Sequence, residues 1–435
     1  MSAPKYNNKA EEQFRRNSAE PHPRQGGAEA ARGNETWSSP LAALAGRRLA
    51  LVVTGGVAAY KAAELARLMV RAGAEVRAVL TENAARFITP LTFESLTRQP
   101  AYLDMWSKPQ FDIEHISLAD WAEAVIVAPA TANFLAKMAW GLADDFASTF
   151  LLASGAPKLA APAMNSRMLA APATAANLAT LAGRGVTVIG SQSGLLACGT
   201  VGDGRLTDLE VIALMAARAL TPPDFRGVKV AVSAGSTREA WDDIRFMANR
   251  STGKMGRDLA LAAWLRGAEV TLVAGPGVTP PPALPRMAFQ SVESTVDMLE
   301  ILKSIDFQTL IMAAAPADFR PAERVSGKVK KGGGPPELKL AANPDILKSL
   351  PRDGRTFIGF AAEDRDLVER AKGKLIDKNL NLIAANQAGG SEGAFAAENN
   401  HLWLVFKDGR TREISPRPKF AAAWAILDAV KSLEG

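Results

Sequence analysis

A short apolar run, Leu49-Ala50-Leu51-Val52-Val53, stops at Thr54-Gly55-Gly56 and gives way to apolar residues at helical spacing: Ala62, Leu65, Ala66 and Met69. Gly73 then precedes a second strand-like run, Glu75 to Leu80. Strand, glycine turn, helix and strand in that order predict the opening of a doubly wound α/β domain. The plan recurs. Val228-Lys229-Val230-Ala231-Val232 leads into Ser233-Ala234-Gly235; after an insert come a helix expected over Arg257 to Arg266, then Gly267 and a strand over Glu269 to Ala274. Even the join repeats, since Arg-Ala-Gly-Ala-Glu-Val at 71–76 is echoed by Arg-Gly-Ala-Glu-Val at 266–270. Two copies at this separation are one supersecondary unit used twice, not a solenoid. The expected fold class is α/β with two Rossmann-like doubly wound domains.

Further short apolar segments bounded by breakers predict buried strands at Ala124–Ala128, Thr187–Ile189, Thr309–Met312, Phe357–Phe360 and Leu382–Ala385. Leu402–Phe406 and Thr411–Ile414 flank Lys407-Asp408-Gly409-Arg410, a hairpin signal, and a last helix is expected from Lys419 to Ser432. Thr221-Pro222-Pro223-Asp224 is the turn-rich break between halves, which sets domains at 46–220 and 221–435. Residues 1–40 mix Asn, Glu, Arg, Gly and Pro without period, so a disordered N-terminal tail over 1–45 is expected.

Several function classes fall away. Cys198 is the single cysteine, which excludes an internal disulfide or a thiolate cluster and fits a reducing, cytoplasmic setting. His22, His115 and His401 show no metal-ligand spacing, so metal ligands are unknown from the sequence. The most apolar stretch, Ala124 to Ala143, is broken by Pro129, Asn133 and Lys137, and no membrane span or apolar signal core is expected. The net charge of +6 is spread rather than run together. Small anionic ligands explain it without nucleic acid.

Ligands of open α/β sheets sit beyond the carboxyl ends of the strands. Thr54-Gly55-Gly56 is such an end, and the helix start behind it offers backbone amides to a phosphate. A tight turn explains the same residues, and the G-x-G-x-x-G spacing of a dinucleotide site is missing. Ala128-Pro129-Ala130-Thr131-Ala132-Asn133 suits a hydrogen-bonded ligand rim or a helix cap. Asn165, closing Pro162-Ala163-Met164-Asn165, suits a carboxylate or amide ligand, or its own backbone. A lone His115 between Ile113 and Ile116 reads as structural. Cys198, inside the glycine-rich run Ser193 to Gly204, suits a mobile flap carrying a thiol acid.

Taken in order, Gly55-Gly56-Val57-Ala58-Ala59-Tyr60-Lys61, His115, Pro129 to Asn133, Pro162 to Asn165 and Cys198 resemble the homo-oligomeric flavin-containing cysteine decarboxylases, in the phosphopantothenoylcysteine decarboxylase branch. The resemblance covers about Arg47 to Leu220. It implies a flavodoxin-like domain that holds FMN through Gly55, Gly56, Thr81, Thr131 and Asn133. It further implies oxidation of the substrate's cysteinyl thiol with His115 as base, loss of carbon dioxide, and return of hydride with Cys198 as proton donor. Asn165 would hold the substrate carboxylate.

In the second half, Ser236-Thr237-Arg238-Glu239 and Arg245 to Gly256 place basic residues, hydroxyls and glycines at a helix start, an anion cradle or a solvated basic loop. The Walker A spacing is absent around Gly253-Lys254. Ala313-Ala314-Ala315-Pro316-Ala317-Asp318 ends a strand with an acid suited to ribose or metal. Lys328-Val329-Lys330-Lys331 lies in a glycine-rich loop, where lysines can neutralise departing pyrophosphate or simply be solvated. With Asn343-Pro344-Asp345-Ile346 and Gly359-Phe360-Ala361-Ala362-Glu363, these segments resemble bacterial phosphopantothenate–cysteine ligases from about Arg226 onward. Trp241 and Asp243 depart from that family's pattern.

The resemblance implies a ribokinase/Rossmann-like ligase domain that activates 4′-phosphopantothenate with CTP and Mg2+, then joins it to L-cysteine. Asn249 would contact the acyl-cytidylate, and Lys328 would serve nucleotidyl transfer. Met312, Ala313, Ala314, Asp318, Lys328, Pro344, Asp345, Ile346, Leu347, Phe360, Lys374 and Lys378 would bind the nucleotide. A fusion of both halves is similar to the bifunctional proteins of coenzyme A biosynthesis, and implies a homo-oligomer. A nicotinamide oxidoreductase is the main rival, but the second strand of the second half ends Val273-Ala274-Gly275 with no acid for ribose. A non-catalytic flavoprotein is disfavoured by the presence of both His115 and Cys198.

Overall fold

The computed structural model describes residues 34–106, 113–195, 199, 201–329, 337–363, 365–387 and 398–433. The first half is built on β1 (Arg48–Val53), β2 (Glu75–Leu80), β3 (Ala101–Tyr102), β4 (Ala124–Ala130), β5 (Lys158–Pro162) and β6 (Thr187–Val188). All pair in parallel, in the order β3-β2-β1-β4-β5-β6. Without the two-residue edge strand β3, this is the flavodoxin order. Every residue of β4 is buried, as a strand must be when helices cover both faces of its sheet. A small antiparallel hairpin, β7 (Gln192–Leu195) and β8 (Val201–Arg205), follows.

In the second half, β9 (Lys229–Ala234) is followed by the short pair β10 (Glu239–Ala240) and β11 (Phe246–Met247), then β12 (Glu269–Ala274), β13 (Met287–Ser291) and β14 (Thr309–Met312). After the short pair β15 (Phe319–Pro321) and β16 (Leu340–Ala342) come β17 (Thr356–Glu363), β18 (Leu382–Gln387), β19 (Asn399–Phe406) and β20 (Thr411–Pro418). The main sheet runs β13-β12-β9-β14-β17-β18-β19-β20. Its first six strands are parallel in the Rossmann order, and β19 and β20 add an antiparallel edge. That hairpin is longer at its open end than the sequence signal suggested.

The repeated Arg-Gly-Ala-Glu-Val join has a physical reason. Gly73 and Gly267 both follow a helix and both have positive φ, +89° and +99°. Each closes its helix with the same two bonds: Gly73 N–H to the Val70 carbonyl and Ala74 N–H to Met69, and Gly267 N–H to Trp264 and Ala268 N–H to Ala263. This left-handed cap favours glycine, because a Cβ is disfavoured there. The helix after the insert starts earlier than expected, at Lys254 rather than Arg257.

The halves are joined by the helix Leu209–Leu220, whose residues Val211 to Ala217 are all buried. Its Arg218 lies 4.6 Å over the ring of Trp264 and donates to that residue's carbonyl. Burial pushes the Arg218 guanidinium down to about 10. Of the expected tail, residues 1–33 lie outside the described residues, and residues 34–45 pack on the fold. Pro40–Leu44 forms a 3-10 turn with Ala43 and Leu44 buried. Trp37 meets Trp424 edge-on at 4.8 Å between ring centroids, and its carbonyl accepts from Ala421 N–H. One aromatic in an otherwise polar window supplies enough apolar surface to dock the segment.

Two candidate active sites

Each sheet opens a cavity at the carboxyl ends of its strands, where the strand order reverses. In the first half the cavity measures about 1060 Å³. Its floor is made by the ends of β1 and β4, which are stitched together. Thr54 Oγ1 donates to the Pro129 carbonyl at 2.7 Å and accepts from Thr131 N–H at 3.0 Å. Gly55 is required by packing, because a Cβ there would stand 2.3 Å from Asn83 Cβ. At Gly56 a Cβ would meet Thr131 Cγ2 at 3.3 Å. The helix Ala59–Arg71 then starts against the cavity, with Lys61 on the wall.

The expected FMN residues Gly55, Gly56, Thr81, Thr131 and Asn133 all line this cavity, and so does Asn165. Thr81 and Thr131 cap short helices, accepting from Ala84 N–H at 3.2 Å and Phe134 N–H at 3.5 Å. Asn165 likewise accepts from Arg167 N–H at 2.9 Å. Helix starts thus crowd one opening, which suits a phosphate-bearing ligand, and the volume suits one of flavin size. His115 stands elsewhere. It lies on the helix Glu114–Trp121, with its ring 6.5 Å from that of Phe146, and does not line the cavity of its own chain. Cys198 lies outside the described residues.

In the second half the cavity measures about 390 Å³. Met312, Ala313, Ala314, Asp318, Pro344, Asp345, Ile346, Leu347, Phe360, Lys374 and Lys378 all line it, together with Asn249. Those residues come from five chain segments that the fold brings to one edge of the parallel sheet. Ser233 Oγ accepts from Ala314 N–H at 3.1 Å, and the Gly235 carbonyl accepts from Ala315 N–H at 2.7 Å, so β9 and β14 hold the turn between them. Asn249 Nδ2 donates to the Pro316 carbonyl at 2.9 Å. Glycines permit the close approach: a Cβ on Gly256 would lie 2.7 Å from the Ser233 carbonyl oxygen.

Beneath the wall runs a buried polar network. Glu239, 3% exposed, takes the N–H and hydroxyl of Thr295 at 3.0 and 2.8 Å. Thr295 meets Thr237 at 2.9 Å, and Thr237 Oγ1 accepts from Ala317 N–H at 3.1 Å. Asn343 Nδ2 donates to the Ala317 carbonyl at 2.8 Å. The network fixes the backbone on either side of Asp318. Lys374 pairs with Glu363 at 2.6 Å and Lys378 with Asp345 at 3.2 Å.

Lys328 is exposed and does not line the cavity. Its loop is nonetheless tethered, by Asp242 and Asp243. Asp243 accepts from Gly327 N–H at 2.8 Å and pairs with Arg324 at 3.0 Å. Asp242 accepts from Arg245 Nε at 3.0 Å, and Arg245 lies 4.1 Å over the Trp241 ring. Among the described residues no group of three or more His, Cys, Asp or Glu side chains could hold a metal ion, and no helix is long and apolar enough to cross a membrane.

Sequence reasoning missed Thr295, Asn386, Asn400 and Lys419 on the wall. Asn400 lies on the buried face of β19, and Lys419 opens a helix whose other charges, Asp428 and Lys431, stand in its second half. Neither is marked as inward-facing by the local pattern.

Comparison with known proteins adds two family models: Flavoprotein over residues 38–220, and the DNA/pantothenate metabolism flavoprotein C-terminal domain over 225–433. The chain is 42% identical over 396 residues to the coenzyme A biosynthesis bifunctional protein CoaBC of Bacillus subtilis (strain 168), covering 89% of this chain and 97% of that one. It is 40% identical over 396 residues to the protein of the same name from Haemophilus influenzae (strain ATCC 51907 / DSM 11121 / KW20 / Rd), covering 89% and 98%. A solved C-terminal domain of a coenzyme A biosynthesis bifunctional protein CoaBC matches at 35% identity with a TM-score of 0.42, covering 49% of this chain and 98% of that one.

Proposed function

The chain belongs to the family of bifunctional coenzyme A biosynthesis proteins, and we propose that each of its two cavities houses one of the family's two reactions. It is a flavoprotein and an enzyme of coenzyme A biosynthesis, with phosphopantothenoylcysteine decarboxylase and phosphopantothenate–cysteine ligase activities. The observation that carries the division is the convergence of Asn249, Asp318, Asp345, Phe360, Lys374 and Lys378 on one cavity, with Gly55, Gly56, Thr131 and Asn133 on the other.

In the ligase cavity, the carboxylate of 4′-phosphopantothenate attacks the α-phosphorus of CTP, and pyrophosphate leaves. The amine of cysteine then attacks the acyl carbon, CMP leaves, and an amide remains. Asn249 holds the acyl-cytidylate, Asp318 and Phe360 hold the nucleoside, and Lys374 and Lys378 face its phosphates. Lys328 stabilises the leaving pyrophosphate from the loop that Asp242 and Asp243 tether. Mg2+ arrives with the triphosphate, since magnesium bound to nucleotide needs few protein ligands.

In the decarboxylase cavity, FMN supplies oxidation of the thiol and its later reversal. Gly55, Gly56 and the helix start at Ala59 would hold its phosphate, and Thr81, Thr131 and Asn133, which line the same cavity, would hold the rest. Asn165 fixes the substrate carboxylate, and Cys198 donates the final proton. His115 is the base, acting from one copy on the cavity of another. A homo-oligomer of this kind is supported by the position of His115 and by exposed apolar side chains on the flavin half, among them Leu91 at 68% and Trp140 at 75%. Cytoplasmic residence is part of this reading, because a reducing compartment preserves the thiol substrate.

The test is direct. The purified protein is examined for a flavin spectrum and given 4′-phosphopantothenate, L-cysteine, CTP and Mg2+. Flavin absorbance with pyrophosphate, carbon dioxide and 4′-phosphopantetheine supports both halves. Pyrophosphate without carbon dioxide removes the decarboxylase assignment, and a colourless protein releasing neither removes both.

A further inference from the structure

Ser38 opens the flavoprotein match, yet the residues just before it make their contacts with the far end of the chain. Trp37 is half-buried, with its ring edge-on to Trp424 at 4.8 Å and 6.5 Å from that of Phe420. Its carbonyl accepts from Ala421 N–H at 3.1 Å. Glu35 pairs at 3.3 Å with Arg417, whose side chain is 13% exposed. Every one of these partners lies between Arg417 and Trp424, at the end of β20 and in the first turns of the helix Lys419–Lys431.

That stretch borders the ligase cavity. Lys419 opens the helix and lines the cavity; Asn400, which faces Arg417 across the β19–β20 register, lines it too. The helix starts after Pro418 without a side-chain cap. The first amides of a helix have no acceptor within it and must find one outside. Here Lys419 N–H reaches the Glu398 carbonyl at 3.2 Å, and Ala421 N–H reaches Trp37. A residue near the start of the described chain thus caps a helix near its end. The chain then runs on through Pro40–Leu44, which touches both the helix Leu209–Leu220 and the helix Lys254–Leu265. Lys254, Met255 and Gly256 of the latter also line the cavity. Residues 35–44 therefore lean on the two helices that wall one side of it.

We propose that residues 35–37 are a strap that positions the wall of the ligase cavity, with Trp37 as its positioning residue. Trp37 does not line the cavity. It acts through the helix start that it caps, while Glu35 acts through Arg417, which stands opposite Asn400. Loosening the strap lets the helix start and the open end of the β19–β20 hairpin shift against the rest of the cavity. Small displacements of reacting groups are costly in rate even when their cause lies far off. The flavin cavity opens on the other sheet and shares no lining residue with the ligase cavity, so it should be spared. The proposal rests on the ligase reading above and adds a stretch of chain on which that reaction depends from outside the cavity.

The test uses the full-length, flavin-loaded protein at a temperature where circular dichroism shows each variant fully folded. Trp37→Ala is expected to lower kcat for pyrophosphate release from CTP about 10-fold. Carbon dioxide release from supplied 4′-phosphopantothenoylcysteine should stay within about twofold of wild type. Trp37→Phe, which keeps an aromatic face for Trp424, should restore pyrophosphate release to within about twofold. Trp37→Leu, which fills the site without a ring, stands in should Trp37→Ala fail to fold, and is expected to lose ligation selectively as well. Hydrogen exchange gives a readout independent of activity: the amides of residues 419–424 and 253–256 should exchange faster in Trp37→Ala. Equal losses in both reactions would make the segment a support of the whole fold and overturn the proposal. Unchanged ligation in a folded variant overturns it too. If the wild-type protein releases no pyrophosphate, the ligase reading fails instead; unchanged exchange at the cavity wall then overturns the strap, and faster exchange upholds it.

Discussion

The carboxylate of Asp242 accepts the backbone N–H of Val329 at 3.1 Å, across 87 positions of sequence. It also accepts from the backbone N–H groups of Ile244 and Arg245 at 2.9 and 2.7 Å, while Arg245 Nη2 donates to the Val329 carbonyl at 3.0 Å. The residue beside Lys328 is thus clamped from both sides. Hydrogen bonds from the Arg245 side chain hold the Asp242 carboxyl well below the usual carboxylate range. A lowered carboxylate stabilises above the unfolded value near 4, and that contribution is lost only as pH falls through the lower folded value. The clamp therefore stays charged across neutral and mildly acidic pH. Asp242→Ala is expected to cut pyrophosphate release from CTP by about 100-fold, the scale of a small misplacement of a catalytic group. Decarboxylation of supplied 4′-phosphopantothenoylcysteine should persist, and its loss would point to general unfolding instead.

Lys328→Gln tests the group that the clamp positions. The amide keeps the reach of the side chain and removes its charge. Pyrophosphate formation should fall while nucleotide binding, followed by titration calorimetry, changes little, because the charge is needed as pyrophosphate leaves. Equal losses in both would make Lys328 a binding residue only.

Gly55→Ala separates the halves. The added methyl would stand 2.3 Å from Asn83 Cβ, so the loop proposed to receive the FMN phosphate must move. The purified variant should be colourless and produce no carbon dioxide, yet release pyrophosphate at the wild-type rate. Retained flavin absorbance would show that this turn is not the cofactor's anchor.

Asp258 gives a pH signature. Burial raises its carboxyl to about 6, against the pull of Lys254, Arg257 and Lys419. Between about pH 4 and 6 the native state then binds more protons than the unfolded chain, so stability falls as pH rises through that window and stays lowered above it. A shift of that size corresponds to roughly 3 kcal/mol at neutral pH. Asp258→Asn should raise the melting temperature at pH 8, with the gain shrinking toward pH 4. No gain at pH 8 would mean that its neighbours offset the burial completely.

The doubly wound plan was legible because its signals are local. A strand, a glycine at positive φ and a helix each leave a mark within a few residues, and Gly73 and Gly267 leave the same mark twice. That Asp318 and Asp345 share a cavity wall was legible because each lies a few residues beyond a strand end, and a parallel sheet gathers such ends; Phe360, inside β17, and the proposed nucleotide role of all three came from the family resemblance. Asn400 and Lys419 were not recognised, since an asparagine in an alternating strand and a lysine in a first helical turn look like surface. Only the long-range packing of β19 and the C-terminal helix shows that both face inward. His115 had the opposite fate: its motif is plain, but its distance from its own cavity depends on packing that no local pattern encodes. Trp37 was hidden by its polar neighbours.

That tryptophan has a bearing on how the molecule comes apart. Trp37 belongs to the opening segment of the chain, and its ring rests on Phe420 and Trp424 of the closing helix, while Glu35 pairs with Arg417 at 3.3 Å. The segment from Glu35 to Leu44 and the helix Lys419–Lys431 are clasped together around two sheets that already share the helix Leu209–Leu220. Segments with few apolar contacts are the first to open. Here neither segment can loosen without uncovering apolar surface on the other. Melting should therefore be a single cooperative event for both enzymes, and severing the chain between the halves would leave each fragment short of a piece of its own core.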